Sequence, residues 1–284
     1  GIAAAPTSSL PEEIGGGRNW DYRFCWLRDS AFTLYALVNS GYRAEADAWR
    51  QWVRRATAGH PKQMQIMYGL AGERWLPESE IPWLPGYENS APVRLGNGAA
   101  TQVQLDIFGE VAETLYAARQ VGLGPMDGGQ FQPVVMDHLE KIWQTKGHGI
   151  WEMRGPQRAF THSRVMCWVA FDRAVKLVEN FNLPGPVDRW RRIRDEIHAD
   201  VCEKGFNRSR NTFSQFYGGQ TVDASLLVMP QIGFLPPDDP RLIGTIKAVE
   251  EDLLHEGFVL RYSTDHVDDG VGGSEGAFLA CSFW

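Results

Sequence analysis

Two kinds of helical segment alternate along this chain, and few folds accommodate both. AFTLYALV, VMCWVAFDRAV and ASLLVMPQIGF are apolar around much of their circumference, whereas DRWRRIRDEIHADV keeps its apolar residues to one face. A helix that is apolar all round must be enclosed, while a one-sided helix belongs at a surface. Periodicity predicts helices near 29–41, 43–58, 100–121, 130–146, 161–181, 187–204, 222–233, 239–256 and from 275 to the end of the chain. Pro186 and Asp188 open one of these helices and Gly205 closes it. QIMYGL and FSQFYGG read as short strands, too few to build a sheet. Taken in pairs, the helices form hairpins whose first members recur every roughly 50–70 residues. The apolar first members are expected inside and the amphipathic second members outside, giving an all-α ring of hairpins. The residues ahead of each inner helix then gather at one rim, which is where chemistry is expected.

Composition narrows the function classes. With 284 residues, 43% hydrophobic and 22% charged, the chain is neither disordered nor fibrous. That length can bury a core as one large domain or two small ones, without a disulfide framework. The four cysteines, Cys25, Cys167, Cys202 and Cys281, form no C-x-x-C pair and read as buried free thiols. A net charge of −7 argues against nucleic acid or an anionic membrane as partner. The basic run 189–194 alternates with Trp190 and Ile193 at helical spacing, as a solvated helix face does. No apolar run approaches the roughly 18 residues that span a bilayer. Free thiols and the lack of a recognisable signal peptide point to a cytoplasmic location. SEGAFLACSFW runs into Trp284 with no cap after it, as if the last helix were cut.

The rim segments NWDYRFCWLRDS, YENSAPVRLGNGAAT, GHGIWEMRGPQRAFTHS, GGQTVDAS and LRYSTDHVDDGVGGSEGAF mix Trp and Tyr with Arg, Asp, Glu and Asn. Sugar rings offer C–H faces to aromatics and hydroxyls to paired donors and acceptors, so the mixture suits a sugar pocket, though other polar ligands fit as well. Glu152 follows Ile150 and Trp151, which would desolvate its carboxyl and raise its pKa toward that of a general acid; Arg154 would oppose this if close. A salt-bridged loop carboxylate is the plainer reading of the same residue. Asp29, after Trp26 and Arg28 at an inner-helix start, fits either a helix cap or a sugar ligand. His266, Asp268 and Asp269 read as a flexible polar loop among glycines rather than metal ligands. GNGAAT lacks the preceding strand of a phosphate loop.

The runs RNWDYRFCWLRD, QIMYGLAGER, GIWEMRG with FTHSRVMCWVAFDRA, and VLRYSTDHVDDGVGGSEGAFLACSFW resemble bacterial glycoside hydrolase family 15, the glucoamylase and trehalase group. The resemblance spans essentially the whole chain. It implies an (α/α)6 barrel and inverting cleavage of α-glucosidic bonds from the non-reducing end, with one Glu as general acid and another as general base. Position by position, it makes Glu152 the acid and gives Arg28 and Asp29 the hydroxyls of the terminal glucose, with Trp26 packed nearby. It implies further that Arg261 and the Trp151 ring contact sugar and that Asn97 lies at the same pocket. The family's S-E-[QE]-x-D type segment, which carries the base, does not occur before Trp284; Glu275 of the S-E-G motif matches a pocket-lining position. The base is therefore expected beyond Trp284, together with about three further helices. Residues 1–284 would then be one incomplete catalytic domain, with an N-terminal β-sandwich domain missing as well. The expected activity is glucoamylase-like release of β-glucose from α-glucans or α-gluco-oligosaccharides, with a trehalase as the alternative and a non-catalytic sugar-binding protein as the alternative from another class. The implied partner is an α-glucoside; no metal or cofactor is implied, and oligomeric state is not legible.

Overall fold

The computed structural model describes residues 1–124, 131–273 and 275–284. Among these residues the chain forms eight α-helices: α1 (Leu27–Asn39), α2 (Arg43–Ala56), α3 (Asp106–Gln120), α4 (Phe131–Ile142), α5 (Thr161–Phe181), α6 (Val187–Lys204), α7 (Pro240–Leu253) and α8 (Leu279–Phe283). The start expected at Gln130 lies outside the described residues. Short antiparallel pairs of strands join the loops, and among the described residues none grows beyond two strands.

The inside-outside division follows the hydrophobic pattern. α5 is buried without a break from Thr161 through Val175, as a helix apolar on every side must be. α3 packs against both α1 and α5, so the three inner helices are neighbours. They approach closely because α3 has a glycine at the crossing: a Cβ on Gly109 would come within 2.3 Å of the Met166 carbonyl oxygen. α6 packs along α5 and buries Trp190, Ile193, Ile197 and Val201, a single stripe at three- and four-residue spacing. Its arginines face outward and pair locally, Arg191 with Glu179 and Asp188, Arg194 with Asp195. The basic run is thus a surface face held by neighbouring carboxylates.

Three predicted helices change form. Residues 222–233 do not make an α-helix but a 3-10 turn, Ala224–Val228, followed by turns. Pro230 explains the stop, since it lacks an N–H and its ring collides with the carbonyl four residues back. The segment predicted over 100–121 breaks in two: a 3-10 turn, Gly98–Thr101, and then α3 from Asp106. The last predicted helix is helical only over Leu279–Phe283, and Ser274 lies outside the described residues. Of the two predicted strands, QIMYGL contributes Met67–Tyr68, paired with Cys25–Trp26. FSQFYGG contributes only Phe213, in the strand Thr212–Phe213. All four cysteines are free thiols; Cys25, Cys167 and Cys281 are buried and Cys202 half-buried.

Candidate active site

The eight residues singled out from the sequence line one cavity of about 740 Å³. Trp26, Arg28 and Asp29 come from the start of α1, which the Cys25–Trp26 strand fixes against Met67–Tyr68. Asn97 precedes the 3-10 turn and Trp151 and Glu152 lie in the loop before α5, while Arg261 and Glu275 belong to the segments ahead of α8. The inner-helix entrances therefore do converge at one end of the fold.

Glu152 is held in an uncommon backbone conformation, with φ of +58°. For a residue with a side chain this left-handed region costs roughly 1–2 kcal/mol, so neighbouring bonds must hold it. Its N–H donates to the Gly149 carbonyl at 3.2 Å, and its carbonyl accepts from Gln102 Nε2 at 3.0 Å. The side chain remains 21% exposed to the cavity. Glu152 Oε1 accepts from Trp26 Nε1 at 2.7 Å and from Arg28 Nη2 at 3.3 Å. Burial pushes its carboxyl above the ordinary glutamate range, against the downward pull of Arg28 and of the Trp26 hydrogen bond. Arg28 is itself shared: Nη1 lies 3.2 Å from Asp106 Oδ2 and 3.3 Å from Gln104 Oε1.

Arg154, the cation expected to oppose this shift, is occupied elsewhere. It binds Glu78 through both nitrogens, at 2.8 and 2.6 Å, and stacks over the Trp20 ring at 4.2 Å. Asp29 makes no capping bond at the start of α1, and 43% of its side chain is exposed toward the cavity. Asn97 is the opposite case, accepting from Ala99 N at 3.0 Å and so capping the 3-10 turn from a buried position.

A second group of charges forms another part of the wall. Glu275 is bound by Arg261 on one oxygen and by Arg18 at 3.3 Å on the other; Arg261 also reaches Glu12 at 2.9 Å. Arg18 pairs with Asp269, which accepts from the Tyr262 hydroxyl at 2.8 Å as well. Asp269 is thus a buried anchor and not the flexible loop residue expected from its glycine neighbours. Gly270 seats that anchor against the acid loop: its φ is +77°, and a Cβ there would meet the Arg154 carbonyl carbon at 2.4 Å. Arg18 and Tyr262 stand within the family-like runs but carried no separate signal as site residues, Asp269 was read as part of a polar loop, and Glu12 lies outside those runs. Among the described residues no group of three or more His, Cys, Asp or Glu is placed to hold a metal ion. No helix among them is long and apolar enough to cross a membrane.

The family model of the glycosyl hydrolases family 15 matches residues 1–284. Trehalase of Mycobacterium tuberculosis is 43% identical over 290 residues, covering 100% of this chain and 42% of the relative. Trehalase of Mycolicibacterium smegmatis is 44% identical over 289 residues, covering 100% of this chain and 43% of the relative. The chain therefore spans less than half the length of these curated relatives. Among solved structures, a bacterial glucoamylase complexed with acarbose superposes with a TM-score of 0.65 at 14% identity, over 90% of this chain and 38% of that one. At that identity the likeness speaks for the fold, and it agrees with the helical barrel inferred from the hairpins.

Proposed function

Since the chain belongs to glycosyl hydrolase family 15, we propose that it hydrolyses α-glucosides with inversion, that trehalose is its substrate, and that Glu152 is the general acid. The observation that carries the reading is the Glu152 carboxyl itself: open to the cavity, raised by burial, and oriented by Trp26 and Arg28. A group that must donate a proton near neutral pH needs a raised pKa. Relatives named trehalase favour trehalose over the glucoamylase-like substrates that the motifs alone suggest.

Arg28 and Asp29 are assigned to the hydroxyls of the bound glucose, with Trp26, Trp151, Asn97 and Arg261 as further parts of the sugar pocket. Glu275 is assigned to the wall and not to the base, because Arg18 and Arg261 each bind one of its oxygens and these two cations oppose its taking a proton from water. Inversion requires the two carboxyls to stand about 6.5–9.5 Å apart, and the second is sought outside residues 1–284.

Proton NMR of the full-length natural protein acting on trehalose tests the reading. Inversion turns the attacked glucose into the β anomer while the departing glucose keeps its α configuration, so the two anomers appear first in equal amounts. Release of α-glucose alone would refute inversion, and release from maltose but not trehalose would return the glucoamylase-like reading. Binding without any release would favour the non-catalytic alternative.

A further inference from the structure

Beside the acid, the Trp151 indole is tied to a buried carboxylate that the activity does not account for. Asp223, 2% exposed, accepts from Trp151 Nε1 at 2.9 Å through Oδ2 and from Ser225 Oγ at 2.6 Å through Oδ1. Both partners are neutral, and among the described residues no guanidinium or ammonium forms a salt bridge with it. An enclosed carboxylate without a counter-ion is costly, and a neutral side chain of the same shape would avoid the cost. What the charge adds is a stronger bond to the indole N–H, since a hydrogen bond to an ionised acceptor is shorter and tighter than a neutral one.

The backbone carrying Asp223 is itself fixed. It forms a bridge with Tyr262, and Ala224 N donates to the Arg261 carbonyl at 2.9 Å, which joins Asp223 to another part of the cavity wall. The indole it holds stacks on Trp284, with centroids 5.9 Å apart, and leans on Tyr262 at 6.4 Å. Trp151 immediately precedes Glu152, the residue in the left-handed conformation, so whatever fixes the ring also fixes the start of that strained turn.

We propose that Asp223 is a positioning residue: its carboxylate holds the Trp151 indole, and through it holds Glu152 where its proton can reach the leaving oxygen. The inference rests on the reading of Glu152 as general acid. A purely structural role for Asp223 would slow every substrate alike. A positioning role slows most the substrates whose leaving group needs that proton.

The test compares trehalose with α-glucosyl fluoride, whose fluoride departs with little help from an acid, in the full-length natural protein. Misplacement of a catalytic group by about 1 Å can cost about 100-fold, so Asp223→Ala should lower kcat on trehalose by about 10- to 100-fold. On the fluoride the loss should stay within about threefold, and KM for trehalose should change no more than that. Asp223→Asn, which keeps an acceptor for the indole but not the charge that strengthens the bond, should recover part of the rate. Trp151→Phe removes the N–H, so Asp223→Ala added to it should cost little further. If Asp223→Ala fails to fold, Trp151→Phe alone breaks the same bond and should show the same selective loss on trehalose. Equal losses on both substrates, or a full Asp223→Ala effect in the Trp151→Phe background, would overturn the proposal. A wild type that cleaves no glucoside, or a Glu152→Gln variant at the wild-type rate, removes the acid assignment and this inference together. An essential Glu152 with an unchanged substrate ratio in Asp223→Ala removes this inference alone.

Discussion

Replacing Asp223 with Asn should stabilise the protein at neutral pH and leave its stability unchanged in acid. Burial pushes the Asp223 carboxyl from an ordinary 3.8 up to about 6, against the pull of its hydrogen bonds from Ser225 and Trp151. The folded state therefore holds this proton more tightly than the unfolded chain, and folding takes up a proton between those two pH values. The sign follows from linkage: the contribution is fully present below about 3.8, declines as pH rises, and is lost above about 6. At 1.36 kcal/mol per pH unit the loss amounts to about 3 kcal/mol. Asn escapes that loss, and because the shift already contains the hydrogen bonds that Ser225 and Trp151 give the ionised form, nothing further is subtracted. The gain above the window is about 3 kcal/mol, and for a chain of this length it should raise Tm by roughly 7 °C. Thermal melts of both proteins at pH 7.5 and at the lowest pH where each stays folded would measure it. A Tm difference that does not vary with pH, or a variant less stable at pH 7.5, would refute the account of Asp223 as a carboxylate strained by burial.

Three further outcomes follow from the geometry. Glu152→Gln should reduce kcat on trehalose by about 10²–10⁴-fold, the usual contribution of a general acid, while thermal stability at neutral pH holds or rises because burial penalises ionisation of the carboxyl and Gln cannot ionise. Arg28→Met should move the alkaline limb of the kcat/KM profile to higher pH: Arg28 pulls the Glu152 carboxyl down, and the acid works only while protonated. Arg28→Lys should lower the rate with the limb in place, and an unmoved limb in the Met variant would sink the electrostatic argument. Trp190→Ala, at a site only 1% exposed on the buried stripe of α6, should cost about 3–5 kcal/mol in chemical denaturation.

The fold was legible wherever a helix is long and its pattern unambiguous. α5 and α6 run over the residues that periodicity assigned, because an unbroken apolar run and a four-residue stripe each admit one kind of packing. Reading failed where a local backbone feature overrides the pattern. ASLLVMPQIGF has the composition of an inner helix, yet Pro230 reduces it to a 3-10 turn. Asp106 begins α3 several residues late because Asn97 first closes a separate turn on Ala99. Neither event changes hydrophobicity, so periodicity alone does not register it.

The site was legible in its residue types and less so in its pairings. Ile150 and Trp151 announced a desolvated Glu152, but the cation that tempers it comes from Arg28, 124 residues away, and not from Arg154, two residues away. In a turn with a left-handed residue, successive side chains diverge, and Arg154 leaves the acid for Glu78 and the Trp20 ring. This disposition has a consequence for the chemistry. Arg154 is held by Glu78, while Arg18 and Arg261 are held by Glu275, Asp269 and Glu12. The guanidinium that does reach Glu152 is shared with Asp106, a fully buried carboxylate 3.2 Å away. A shared cation favours the ionised acid less than a dedicated partner would, since its donors are divided between two acceptors. Burial therefore prevails over attraction, and Glu152 keeps its carboxyl raised although an arginine lies 3.3 Å away.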